Sequence, residues 1–154
     1  MLKYFNYDIV FQEVPNEVTL AVNFSLCPNH CRGCHSPWLW QDKGEIFDVH
    51  TLESLIKMYH GNFTCLAFMG GDNDPQAIND LAHHIKQNFP DIKTAWYSGK
   101  ENIDPHINIS NFDYIKIGPY KEECGSLKDK NTNQRFYKFS TDGKEDITHL
   151  FQKK

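Results

Sequence analysis

Asn23-Phe24-Ser25-Leu26-Cys27-Pro28-Asn29-His30-Cys31-Arg32-Gly33-Cys34-His35 gathers three of the chain's five cysteines into eight residues, spaced C-x3-C-x2-C. The run just before the first cysteine alternates, with Val18, Leu20, Val22 and Phe24 on one face, the period of a strand with a buried side. A strand therefore delivers the cysteines onto a loop. Thiolates this close together suit zinc, copper(I) or an iron–sulfur cluster, not calcium or magnesium. A closed structural zinc site or an ordinary ferredoxin cluster takes four protein ligands, whereas three leave one metal position open for chemistry. Two other arrangements compete. One is a Cys3His zinc knuckle completed by His30 or His35. The other is a disulfide framework, disfavoured by the odd cysteine count and by the lack of a secretory apolar stretch in Met1-Leu2-Lys3-Tyr4-Phe5.

Outward from this loop, the chain alternates strand and helix signals. Upstream, residues 8–14 form a second β-rich run, joined to 18–24 by the turn Pro15-Asn16-Glu17. Downstream, the loop continues through Ser36-Pro37-Trp38-Leu39-Trp40 to Gly44, where the two tryptophans read as packing that also shields a cluster from water. A helix follows, capped by Asp48 or Thr51, with Leu52, Leu55, Ile56 and Tyr59 as its buried stripe and Gly61-Asn62 as its stop. Thr64 to Met69 is a nearly continuous apolar run of the kind a buried parallel strand shows, with Cys65 as a small core residue.

Gly70-Gly71-Asp72 ends that strand. Glycines at the C-terminal end of a parallel strand let backbone approach a ligand closely, at the end where ligands bind in such folds; a plain turn before a helix cap uses the same residues. Asp74 and Pro75 open a second helix, with Ile78, Leu81, Ala82 and Ile85 inward, His83 and His84 solvated, and Phe89-Pro90 as the stop. Residues 92–98 are the next strand, ending at Ser98-Gly99, and a short, proline-interrupted helix is expected near 100–108. Tyr114-Ile115-Lys116-Ile117 is a further strand leading to Gly118-Pro119-Tyr120. Cys124 reads as a partly exposed bystander, Thr132 to Tyr137 as an edge strand with polar side chains, and 143–154 as a short terminal strand or helix.

The order β-β-α-β-α-β-(α)-β indicates an α/β fold with a mostly parallel sheet. At 154 residues, with 40% apolar and 14% aromatic content, the chain is expected to form one domain with a true core. A full eight-stranded barrel takes about 250 residues, so any barrel here is incomplete. The net charge of −4, with scattered basic residues, leaves no electrostatic footprint for nucleic acid. No stretch approaches the roughly 18 apolar residues of a membrane span. Clustered thiols without a secretion signal place the chain in the cytoplasm.

At this spacing the cysteine segment resembles the radical S-adenosylmethionine superfamily. The resemblance implies an incomplete open (β/α) barrel in which Cys27, Cys31 and Cys34 hold three irons of a [4Fe-4S] cluster. The amino and carboxylate groups of S-adenosylmethionine then chelate the fourth iron. Gly70-Gly71-Asp72, 36 residues beyond Cys34, resembles the superfamily's Gly-Gly-Glu motif and implies contact with the methionyl ammonium. Gly33, Cys34, His35 and Ser98 are implied to border the same cofactor. Cys31-Arg32-Gly33-Cys34-His35 is similar to the form in the activating proteins of anaerobic ribonucleotide reductases. Thr132-Asn133-Gln134 resembles their Asn-Gln tail segment, although Lys130-Asn131 replaces the usual Gly-Ser pair and Ile117 an acidic residue.

That branch implies reductive cleavage of S-adenosylmethionine with an electron from a small donor protein such as flavodoxin. It further implies a glycyl radical made on the large subunit of anaerobic ribonucleoside-triphosphate reductase, and it admits a homodimer. Two alternatives stay open. One is a radical S-adenosylmethionine enzyme for another glycyl-radical enzyme or a small heterocycle; the other is a non-enzymatic zinc or iron–sulfur interaction module.

Overall fold

The computed structural model describes residues 2–25 and 44–152. The strands are β1 (Lys3–Val10), β2 (Thr19–Phe24), β3 (Glu45–Ile46), β4 (Cys65–Met69), β5 (Lys93–Tyr97), β6 (Tyr114–Ile117), β7 (Arg135–Ser140) and β8 (Gly143–Asp146). The helices are α1 (Val49–Tyr59) and α2 (Pro75–Asn88). The strands form one open sheet in the order β3-β1-β2-β4-β5-β6-β7-β8. Its centre, β2-β4-β5-β6, is parallel as the sequence order requires. Antiparallel strands extend it on both flanks, β1 and β3 on one side and β7 and β8 on the other. This mixed α/β arrangement with an unclosed sheet is the incomplete barrel expected above.

Alternation along the central strands sorts the two faces. Leu20, Val22 and Phe24 of β2, Leu66 and Phe68 of β4, Trp96 of β5 and Ile115 of β6 pack in one core with Leu52, Leu55 and Ile56 of α1 and Ile78, Leu81, Ala82 and Ile85 of α2. The opposite face carries Cys65, Ala67, Ala95, Tyr114 and Phe136, packed with Val14 and Leu127. The period of two sends alternate residues of each strand to opposite faces.

The helices form where their caps allow. Asp48 caps α1, its Oδ1 accepting the Thr51 N–H at 3.0 Å, which settles the choice between Asp48 and Thr51. Asp74 caps α2 by accepting the Ala77 N–H at 3.2 Å, with Pro75 in the first turn.

Four expectations need correction. The first strand is 3–10, not 8–14: Val14 turns into the core, and a Glu17 N–H to Val14 carbonyl bond makes 14–17 a turn. No helix forms over 100–108. Asp104 instead accepts the His106 N–H and makes a local turn around Pro105, and the only helical turn nearby is Ile109–Asn111. The edge strand expected over 132–137 is a strand over 135–140 and not an edge, because β8 pairs with the far side of β7. Finally, His84 is half-buried, its Nε2 3.6 Å from the Glu53 carboxylate of α1, while His83 is exposed as expected but reaches Asn111 Oδ1 at 3.2 Å. Among the described residues no helix is long and apolar enough to cross a membrane.

Candidate functional site

Because the central strands are parallel, they all end on one edge of the sheet. The register aligns Asn23, Met69, Tyr97 and Lys116 in one row across it. Just beyond lie Ser25, Gly70, Ser98 and Gly118. The segment carrying Cys27, Cys31, Cys34, Gly33 and His35 leaves the sheet at this edge, after Ser25; those residues, with Trp38 and Trp40, lie outside the described ones. Gly70 neighbours the end of β2: a Cβ there would stand 3.6 Å from the Phe24 carbonyl oxygen.

Both glycines adopt left-handed backbone, with φ of 98° at Gly70 and 87° at Gly71, which a side chain disfavours. Gly71 is also tightly packed, since a Cβ there would fall 2.7 Å from Ile78 Cδ1 and 3.3 Å from Leu2 Cδ2. Gly70 is pinned to β5 at both of its polar atoms. Its N–H donates to the Tyr97 carbonyl at 3.0 Å, and its carbonyl accepts from Trp96 Nε1 at 2.7 Å.

This pinning aims Asp72 across the exit of β5. Asp72 is 7% exposed; Ser98 Oγ donates to its Oδ1 at 2.6 Å and the Gly99 N–H to its Oδ2 at 2.8 Å. Ser98, 1% exposed, is itself fixed by accepting the Lys100 N–H at 3.1 Å. Short bonds to a carboxylate are the strong kind, and these two donors fix where the Asp72 carboxylate lies. Of the expected site residues, Gly70, Gly71, Asp72 and Ser98 thus come together at one point.

Beside them, on the face away from the helices, lies a cavity of about 620 Å³ lined by Met69, Tyr97, Lys116, Tyr120, Gln134 and Phe151 among others. That is the size of a small-ligand pocket. The 11–17 loop forms its far wall, held there by a hydrogen bond from the Tyr97 hydroxyl to the Glu13 carbonyl; burial pushes the Tyr97 phenol up. Sequence reading missed this lining. The signal was the period of two, which faces Met69, Tyr97 and Lys116 away from the helices.

The remaining cysteines stand apart from this edge. Cys65 is fully buried at the start of β4, and burial pushes its thiol well up, as a core residue requires. Cys124 is half-buried in the segment after β6. Among the described residues no group of three or more His, Cys, Asp or Glu side chains could hold a metal ion.

Residues 17–136, from the approach to β2 into β7, match the family described as "4Fe-4S single cluster domain". No curated protein and no solved structure matches the chain.

Proposed function

The chain belongs to the 4Fe-4S single cluster domain family, and from that premise we propose that it is an activase generating a glycyl radical on anaerobic ribonucleoside-triphosphate reductase. The family implies two cofactors, a [4Fe-4S] cluster and S-adenosylmethionine. Together, when bound, they supply one-electron cleavage of a carbon–sulfur bond and hence radical chemistry.

The residues present fit that pair. A buried carboxylate fixed in orientation suits an ammonium group, and Asp72 is such a carboxylate. Three soft thiolates suit iron, and they follow directly on the strand that neighbours Gly70. In this reading Cys27, Cys31 and Cys34 hold the cluster, while Gly33 and His35 flank the cofactor. Asp72 holds the methionyl ammonium beside the bare backbone of Gly70 and Gly71, and Ser98 keeps the carboxylate in place. The observation that carries the reading is this Asp72–Ser98–Gly99 arrangement at the same end of the sheet as the end of β2, the strand that precedes the three cysteines in sequence.

The choice of target rests on shape. An unclosed sheet with an open-sided cavity leaves little protein to surround a small molecule. It suits a substrate that brings its own walls, such as a loop of a large glycyl-radical subunit. A small electron-donor protein such as flavodoxin, and pairing of two copies, belong to the same proposal.

Anaerobically purified protein is expected to be brown and to cleave S-adenosylmethionine on reduction. Cys31→Ala should abolish that cleavage. Mixing with candidate large subunits should give a glycyl-radical EPR doublet. A colourless protein holding zinc with four protein ligands would sink the enzyme reading; cleavage without a doublet on the reductase subunit would move the target to another protein or a small molecule.

A further inference from the structure

Lys116 ends the inward row of β6 and is 8% exposed. Burying an ammonium is costly unless polar groups replace its water, so its partners reveal what it is for. Its Nζ donates to the Ser98 carbonyl at 3.2 Å and to the Gly118 carbonyl at 2.8 Å, and lies 6.0 Å from the centre of the Tyr97 ring. Its own carbonyl accepts the Ser98 N–H at 2.9 Å. One residue therefore holds both main-chain polar groups of Ser98.

The Ser98 carbonyl and the Gly99 N–H belong to the same planar peptide unit. The oxygen end of that unit meets the Lys116 ammonium, and the N–H end donates to Asp72 Oδ2 at 2.8 Å. A cation on the oxygen fixes the rotation of the plane. It also polarises the amide, which strengthens the N–H as a donor. The second contact, to Gly118, ties the exits of β5 and β6 together, where the Gly118 N–H donates to the Lys100 carbonyl at 2.6 Å.

We propose that Lys116 is a positioning residue that acts through the Ser98–Gly99 peptide to set the orientation of the Asp72 carboxylate for a cationic ligand group. The proposal rests on the reading of Asp72 as acceptor for the methionyl ammonium. It concerns a residue that acts through its bonds to the Ser98 and Gly118 carbonyls.

Two measurements on the full, cluster-loaded chain test it. The first is amide hydrogen exchange at Gly99 without S-adenosylmethionine, comparing wild type with Lys116→Met and Lys116→Arg and using Ala67 in β4 as reference. Lys116→Met should speed Gly99 exchange about tenfold relative to Ala67, and Lys116→Arg should restore most of the protection. The second is the Kd of S-adenosylmethionine by equilibrium dialysis in a double-mutant cycle with Asp72→Asn. Lys116→Met should weaken binding about fivefold to tenfold alone, and less than about twofold when Asp72 is already Asn.

Unchanged relative exchange at Gly99, or additive effects on Kd, overturns the proposal. If wild type with a full cluster does not bind S-adenosylmethionine, the reading of Asp72 fails, and the exchange arm alone decides Lys116. Should Lys116→Met not fold, Lys116→Gln is judged by the same two criteria.

Discussion

Two buried carboxylates, Glu17 and Asp72, sit at opposite ends of the same parallel strands, and different donors hold them. At the entry end, Glu17 accepts from Thr64 Oγ1 at 2.7 Å, Tyr114 OH at 2.7 Å and Lys93 Nζ at 3.0 Å. Those donors come from the approaches to β4, β5 and β6, so one side chain stitches the 11–17 loop to three strands. Burial alone would raise its carboxyl, but the bonds from Thr64, Tyr114 and Lys93 outweigh it and hold the group below the ordinary range. At the exit end, Asp72 accepts from a hydroxyl and an amide of β5's exit, both uncharged. A carboxylate already matched by a cation holds a fold together. One held by a hydroxyl and an amide at a single strand exit is fixed in orientation there.

That contrast can be broken by removing each feature in turn. Glu17→Ala should have the largest effect, about 2–4 kcal/mol of stability, because it strands the buried Tyr114 hydroxyl and unties three strands. Calorimetry should show Tm falling by roughly 2–4 °C per kcal/mol, with the Kd for S-adenosylmethionine unchanged. A large loss of ligand affinity in this variant would erase the distinction between the two ends. Gly71→Ala comes next at about 1–3 kcal/mol, since its φ of 87° and the 2.7 Å approach to Ile78 Cδ1 leave no room for a methyl group. Chemical denaturation measures it, and a neutral result would mean that α2 shifts freely. Asp72→Asn should reverse the pattern, with affinity for S-adenosylmethionine about tenfold weaker, cluster content intact and less than about 1 kcal/mol of stability lost. Equal damage to stability from Asp72→Asn and Glu17→Ala would make both carboxylates anchors of the fold.

The two ends were not equally legible in the sequence. The exit end announced itself locally: Gly70-Gly71-Asp72 is contiguous and follows an apolar run, and Ser98-Gly99 ends the next one. Glu17 looked like part of a turn, Pro15-Asn16-Glu17, because its partners lie 47, 76 and 97 residues away. No local pattern encodes such a meeting. Lys116 was hidden for a related reason. A lysine in Tyr-Ile-Lys-Ile reads as a solvent-facing alternate position, and only the sheet's open face with its covering loops turns that position inward. The expected helix near 100–108 failed on local chemistry that was readable, since Asp104-Pro105 favours a turn. The strand at 135–140 gained a second neighbour only because the tail folds back as β8.

The smallest effect belongs to Lys93, and it asks which part of the Glu17 cluster carries the stability. The Lys93 side chain is 49% exposed, and an ion pair with one partner half in water is worth under about 1 kcal/mol. Lys93→Met should therefore cost far less than Glu17→Ala and lose most of that small cost in high salt. The pH dependence gives the sharper test. A carboxyl held low in the folded state stabilises fully above its unfolded value, about 4.3 for glutamate, and that contribution disappears as pH falls through the lower folded value. Denaturation curves between neutral and acid pH should show this loss in wild type, and Glu17→Gln should flatten it. Besides the opposing burial, the bonds from Thr64 and Tyr114 lower the group alongside the bond and charge of Lys93, so Lys93→Met should keep part of the acid limb. If it flattens the limb as fully as Glu17→Gln, the entry end is held by a salt bridge and not by its neutral donors.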